Sequence, residues 1–163
     1  MKFTPRFIVL SGLIAAVYTA LTLLLQPFGF GPIQFRLAEA LTVLPSLLPA
    51  SIPGLFIGCF LSNWLGGFGV VDMVFGSLAT LLAAICTYLL RKKRLLFSLP
   101  PVVFNGLIVG SYVYLLYDNT YSLLLTMLFI GLSEAVLTYG VGLPLVSLMK
   151  GHPGLKRFFK TDE

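Results

Sequence analysis

Charge is what this sequence has least of. Lysine, arginine, aspartate and glutamate together make up 10% of 163 residues, where a soluble domain typically carries about 25%. A soluble fold of this length leaves about a third of its surface in water. Eleven basic and six acidic side chains are too few to cover it. That shortage excludes an ordinary soluble enzyme, a disordered tail and a nucleic-acid module. Cysteine is nearly as scarce. Cys59 and Cys86 lie in apolar stretches without metal-ligand spacing, which excludes a disulfide scaffold and reads as small, reduced packing residues. The single histidine, His152, sits in the polar tail, so no Ser-His-Asp set is available, no His/Cys/carboxylate cluster suggests a metal site, and no catalytic residues are expected. No GxxxxGK[ST] loop is present, so the chain has no P-loop of its own for ATP. No cleavable signal pattern is expected either, because the first apolar run is too long for one. What remains in abundance is apolar: 58% of the residues and a mean hydropathy of +0.97. The chain reads as an all-α protein of the lipid bilayer.

A bilayer core of about 30 Å takes about 20 apolar residues as helix, or about 17 at the short end. The apolar runs, cut at proline, glycine and charge, predict spans over 7–25, 36–48, 52–65, 70–90, 100–117 and 121–149 in one domain covering 1–163. Pro49 and Pro53 break the second and third spans apart, Gly66–Gly69 turns the chain after the third, and Arg91–Arg94 stops the fourth. With six spans, Lys2, Arg6, Arg91, Lys92, Lys93, Arg94, Lys150, Lys156, Arg157 and Lys160 fall on one side and only Arg36 on the other. This positive-inside bias predicts that both termini are cytoplasmic. The net charge of +5 is then a statement about topology and carries no information about a ligand.

Two kinds of feature stand out within the spans. The first is small residues at four-residue spacing, which let helices approach backbone to backbone. Gly12, Ala16 and Ala20 form such a stripe on the first span, and Gly54/Gly58 and Gly106/Gly110 repeat the spacing on the third and fifth. The latter two are expected to pack internally. The first is open between internal packing and docking of another protein. The second feature is polar groups at membrane depth, each a functional hypothesis in a bilayer. Glu134 and Asn105 lie about 20 Å and about 18 Å from the outer ends of their spans at 1.5 Å per residue, where they can face one cavity. Gln34, Arg36, Glu39, Asn63, Trp64 and Asp72 gather nearer the outer face. Arg36 and Glu39, three apart, can pair on one helical face. Asp72 can serve as a helix N-terminal anion, and Trp64 as an interface anchor. This is an outward-facing pocket closed below, as a substrate-capturing protein needs, with no continuous pore.

The blocks QFRLAEALTVLP (34–45), IPGLFIGCFLSNWLGG (52–67), DMVFGSLATLLAA (72–84) and PPVVFNGLIVG (100–110) resemble the QueT family. Its members are substrate-binding S-components of energy-coupling factor (ECF) transporters, proposed to import queuosine precursors. The resemblance implies a six-helix fold with cytoplasmic termini in the cell membrane of a bacterium. It also implies a deazaguanine ligand, a transmembrane coupling protein docked on the first helix at Ala16 and Ala20 (with Gly12 on the same stripe), and two cytoplasmic ATPases that alone use ATP. No cofactor, metal or nucleic acid is implied. For such a nucleobase-like ligand, Glu39 or Glu134 is expected to accept from the guanine-like edge. The other carboxylate, or Asp72, meets an aminomethyl cation. Asn63 and Asn105 supply amide contacts, Trp64 or Tyr112 stacks on the ring, and Arg36 contacts either ligand or Glu39. A stand-alone carrier or oligomeric channel, and a structural subunit without ligand, remain as alternatives.

Overall fold

The computed structural model describes residues 4–26, 35–93 and 95–153. Gln34 and the cations Lys2, Arg94, Lys156, Arg157 and Lys160 lie outside the described residues. The described chain forms six helices: α1 Pro5–Leu24, α2 Leu37–Ser46, α3 Ser51–Leu65, α4 Asp72–Leu89, α5 Leu96–Leu116 and α6 Leu123–Gly151. Four of them, α1, α4, α5 and α6, are long and apolar enough to cross a membrane. α2 and α3, with 10 and 15 residues, fall below the usual spanning length. Both short helices start and end close to the expected bounds.

Local chemistry sets these ends. Thr4 caps α1, its Oγ1 accepting from the Phe7 N–H at 3.2 Å, with Pro5 in the first turn where a missing N–H is harmless. α2 winds as a 3₁₀ helix with Pro45 inside it. The turn between α3 and α4 needs left-handed backbone at Gly67 (φ 69°) and Gly69 (φ 97°), which glycine alone adopts without strain. Three helices carry a π-helical stretch: α4 at Asp72–Gly76, α5 at Asn105–Val109 and α6 at Val136–Gly142. Such insertions are rare and recur at functional sites. Here the first two begin at Asp72 and Asn105, and the third follows Glu134 by two residues.

Close crossings hold the bundle. A Cβ placed on Gly54 would lie 2.7 Å from the Ser11 carbonyl, and one on Gly58 would lie 2.9 Å from the Tyr18 Cβ, so α1 and α3 touch along their backbones. Gly110 does the same for α5 and α6, 2.7 Å from the Met127 Cα. Both expected internal contacts are therefore present. The start of α1 meets the α2–α3 connection, with Ser11 Oγ donating to the Ala50 carbonyl at 2.8 Å. Val43, Phe97 and Val146 pack together at that same end. The opposite end gathers the close of α1 and α3, with Gln26 donating to the Gly66 carbonyl, and the α5–α6 turn, where Tyr117 donates to the Phe68 carbonyl. Large apolar side chains such as Leu13, Leu82, Leu107 and Leu132 are exposed on the outside, as lipid-facing residues are.

Candidate functional site

The polar residues lie in two layers inside the end of the bundle away from Phe97. Arg36 has extended backbone and caps α2, so its side chain reaches across the bundle rather than along its own helix. Its guanidinium donates to Asn63 Oδ1 on α3 and to Asp72 Oδ1 on α4, each at 3.3 Å, and lies 5.3 Å from the Phe68 ring centroid. Tyr112 on α5 donates to the same Asp72 oxygen at 2.9 Å, and Asn63 Nδ2 donates to the Asp72 carbonyl at 2.8 Å. Half-buried Arg36 and buried Asn63, Asp72 and Tyr112 thus form one hydrogen-bonded layer joining four helices.

That layer corrects one expectation. Arg36 does not take Glu39 as its pairing partner; it takes Asp72. The three-residue spacing that suggested the pair assumes helical backbone at both positions, and Arg36 stands outside the helix. Asp72 stands in the first turn of α4, as a helix N-terminal anion would, and is also buried within the layer.

Below it lies the second layer. The 3₁₀ rise of about 2 Å per residue carries Glu39 down from Arg36 into the interior, where its Oε1 accepts the Tyr18 hydroxyl of α1. Glu39 therefore leaves the outer rim on which the sequence placed it and joins Asn105 of α5 and Glu134 of α6. The three side chains are 3%, 3% and 4% exposed and line one cavity with Cys59, Thr80 and Ile130, beneath Arg36. Asn105 sits beside both carboxyl groups. The expectation that Asn105 and Glu134 face one cavity matches this geometry.

Three atoms in this layer have no hydrogen-bond partner among the described residues: Glu39 Oε2, Asn105 Nδ2 and Glu134 Oε2. Nearly all buried polar groups in folded proteins are paired, so a cluster of unpaired ones calls for a reason. Two acceptors and one donor on the wall of one cavity can take a ligand edge that offers two donors and one acceptor. The cavity measures about 10 Å³, room for about one water.

Two candidates fall elsewhere. Trp64 is 63% exposed and does not line the cavity, because α3 turns its other face inward with Cys59, Ser62 and Asn63. A ring-stacking position there is replaced by the interfacial placement usual for tryptophan at a span end. Gly12, Ala16 and Ala20 are all exposed on the outer face of α1, and a Cβ on Gly12 would meet nothing within 4 Å. Conversely, Thr80 lines the cavity and Tyr18 donates to Glu39, and neither was singled out from sequence. Tyr18 is the one aromatic residue between Ile8 and Leu25, which is the signal in the sequence that marks it.

Comparison with known proteins decides the kinship. The model of a family described as QueT transporter matches residues 8–151. This chain belongs to the QueT transporter family. That is a family of transporters rather than enzymes, in keeping with the missing catalytic set. A curated relative, "Queuosine precursor transporter QueT" of Lactococcus lactis subsp. cremoris, is 40% identical over 76 residues, covering 45% of this chain and 44% of that protein. The aligned part is thus less than half the length of the QueT relative. No solved structure matches the chain. The QueT match runs from α1 to the end of α6 and includes every residue of both polar layers.

Proposed function

We propose that this chain is the substrate-binding membrane subunit of an ECF-type importer that captures a queuosine precursor, a deazaguanine base, outside the cell. Kinship with QueT transporters supports the substrate class, as does the relative's own name. The observation that carries the reading is the convergence of Glu39 Oε2, Glu134 Oε2 and Asn105 Nδ2, all buried and unpaired, on one cavity. A deazaguanine offers a ring N–H and an amino group side by side next to a carbonyl, which matches two acceptors and a donor. An aminomethyl side chain would bring a positive charge to the second carboxylate. The layer of Arg36, Asn63, Asp72 and Tyr112 covers the cavity. Since about 10 Å³ is too little for a purine-sized ring, the cover opens to admit ligand.

In this reading the chain lies in the bacterial cytoplasmic membrane as a multi-pass protein with its basic end inside. Ligand captured outside is released inside once the chain docks a transmembrane coupling protein through Gly12, Ala16 and Ala20. Two ATPases in the same complex supply the energy, and this chain needs no ATP site or cofactor. The test is a binding titration of queuine and the aminomethyl pre-queuosine base on the purified chain. Glu39→Gln and Glu134→Gln are each expected to weaken binding by at least about tenfold, the loss of one charged hydrogen bond. Unchanged affinity in both would reject the site. Uptake into liposomes by the chain alone would reject the ECF subunit in favour of a stand-alone carrier.

A further inference from the structure

A second cavity lies at the opposite end of the bundle, between the start of α5 and the end of α6. Its volume is about 330 Å³, within the range of small-ligand sites, about 300–1,000 Å³, and far larger than the cavity between the two glutamates. Arg91, Lys92 and Lys150 form its rim, and Phe97, Leu143 and Val146 its floor. Phe97 and Val146 are fully buried while the three cations are exposed, so charge sits at the mouth and apolar surface beneath it. Among the described residues the lining contains no carboxylate. Arg91 stacks on the Tyr88 ring at 4.0 Å and donates one guanidinium N–H to the Tyr88 carbonyl at 3.1 Å, which orients the rest of its fork. Lys150 Nζ lies 5.7 Å from the Phe97 ring centroid, drawn over the cavity floor. Ser147 adds a hydroxyl to the wall.

We propose that this cavity is a headgroup site for an anionic glycerophospholipid of the membrane leaflet on the basic side of the bundle. Three cations at the ends of membrane-crossing helices can hold a phosphodiester, and basic pockets in this position recognise anionic lipid headgroups. The apolar floor suits the glycerol and ester carbons below the phosphate. Leu95, two residues before Phe97, and Leu148, next to Ser147, are 64% and 74% exposed and offer acyl chains a surface outside the cavity. A freely soluble phosphate would leave that floor and those leucines without a role, which favours the lipid.

The test is lipid retention by the full-length protein, purified in mild detergent and measured by native mass spectrometry. Phosphatidylglycerol, phosphatidylcholine and inorganic phosphate serve as separate probes. Phosphatidylglycerol is expected to remain bound at a ratio of one per chain while phosphatidylcholine is lost, and millimolar phosphate should leave that retention unchanged. Arg91→Gln and Lys150→Gln should each weaken phosphatidylglycerol binding about fivefold, and the double variant about twentyfold. Lys150→Arg should retain it, and Lys93→Gln, outside the cavity, should behave as the unaltered chain. Equal retention of the two lipids, or an unaffected double variant, overturns the proposal. Displacement by inorganic phosphate overturns it too, by assigning the cavity to a soluble anion. Each variant is exposed and is checked by binding of the pre-queuosine base at the distant cavity, so misfolding is told apart from a lost lipid site.

Discussion

The two faces of α1 are built from the same kind of residue and do opposite things. On the inner face, Ser11, Ile14, Ala15 and Tyr18 are buried and meet Gly54 and Gly58 of α3 so closely that a single added methyl would clash. On the outer face, Gly12, Ala16 and Ala20 repeat the small-residue spacing and are exposed. Close backbone approach is what both faces permit, and only one has been filled by the chain itself. The difference teaches that small-xxx-small spacing marks a surface made for contact without saying whose contact it is. Tyr18, on the filled face, reaches Glu39 in the polar cavity, while Ala16 and Ala20 stand a half-turn away on the free face.

The sharpest way to break this contrast is to fill the free face. Ala16→Trp combined with Ala20→Trp is expected to abolish uptake in cells that carry the complete transporter. Affinity of the purified chain for the pre-queuosine base should stay within a factor of about two, because nothing inside the bundle moves. Uptake at the normal rate would show that the free face is lipid-facing only. Filling the occupied face should act on stability instead. Gly58→Leu forces a side chain into the Tyr18 Cβ and the Ala15 backbone and should cost about 1–3 kcal/mol, read as a lower thermal midpoint in detergent. Gly12→Leu should leave that midpoint unchanged or raised, since leucine is the better helix former.

A finer probe separates packing from hydrogen bonding on the filled face. Tyr18→Phe keeps the ring against α3 and removes the hydroxyl that Glu39 accepts. It should lower stability by about 1 kcal/mol and alter base affinity as well, which a substitution on the free face would not do. An unchanged titration curve would detach Tyr18 from the site. The smallest effect is expected far from both faces, at the α5–α6 turn. There the Thr120 hydroxyl and N–H, at 2.5 and 2.9 Å, hold the Asp118 carboxyl below its ordinary range. A carboxyl lowered on folding contributes stability above its unfolded value that is lost as pH falls through the folded one. Asp118→Asn should therefore narrow the difference in thermal midpoint between neutral pH and pH below about 4, by a degree or so at this exposed turn.

Much of the architecture was legible before any coordinates. The expected span over 52–65 compares with Ser51–Leu65, and that over 70–90 with Asp72–Leu89, because proline, glycine and charge interrupt apolar runs where a helix must end. The winding of the helices was not legible. Apolar periodicity at this length does not distinguish a 3₁₀ helix at Leu37–Ser46 or π-helical stretches at Asn105–Val109 and Val136–Gly142 from α-helix, and those deviations set how deep Glu39 sits and where Asn105 points. The polar residues of the two layers were legible as types, and their partners were not. Arg36 with Glu39 was a pairing of sequence neighbours; Arg36 with Asp72, 36 positions apart, follows only once α2 and α4 lie side by side.

By itself, then, the sequence determined that the chain is a helical membrane protein, where its helices begin and end, that one end is basic, and that a few polar residues stand too deep in the bilayer to be ornamental. Those properties follow from local terms: the transfer of apolar side chains from water, the backbone limits of proline and glycine, and the penalty for charge in hydrocarbon. Only the tertiary structure decided which small-residue face is occupied, which cation meets which carboxylate, and that Glu39, Asn105 and Glu134 share one cavity with atoms left unpaired. Each of those depends on residues far apart in the chain meeting at contact distance. A hydrogen bond or a backbone crossing is decided within about an ångström, a scale on which a linear pattern carries no information.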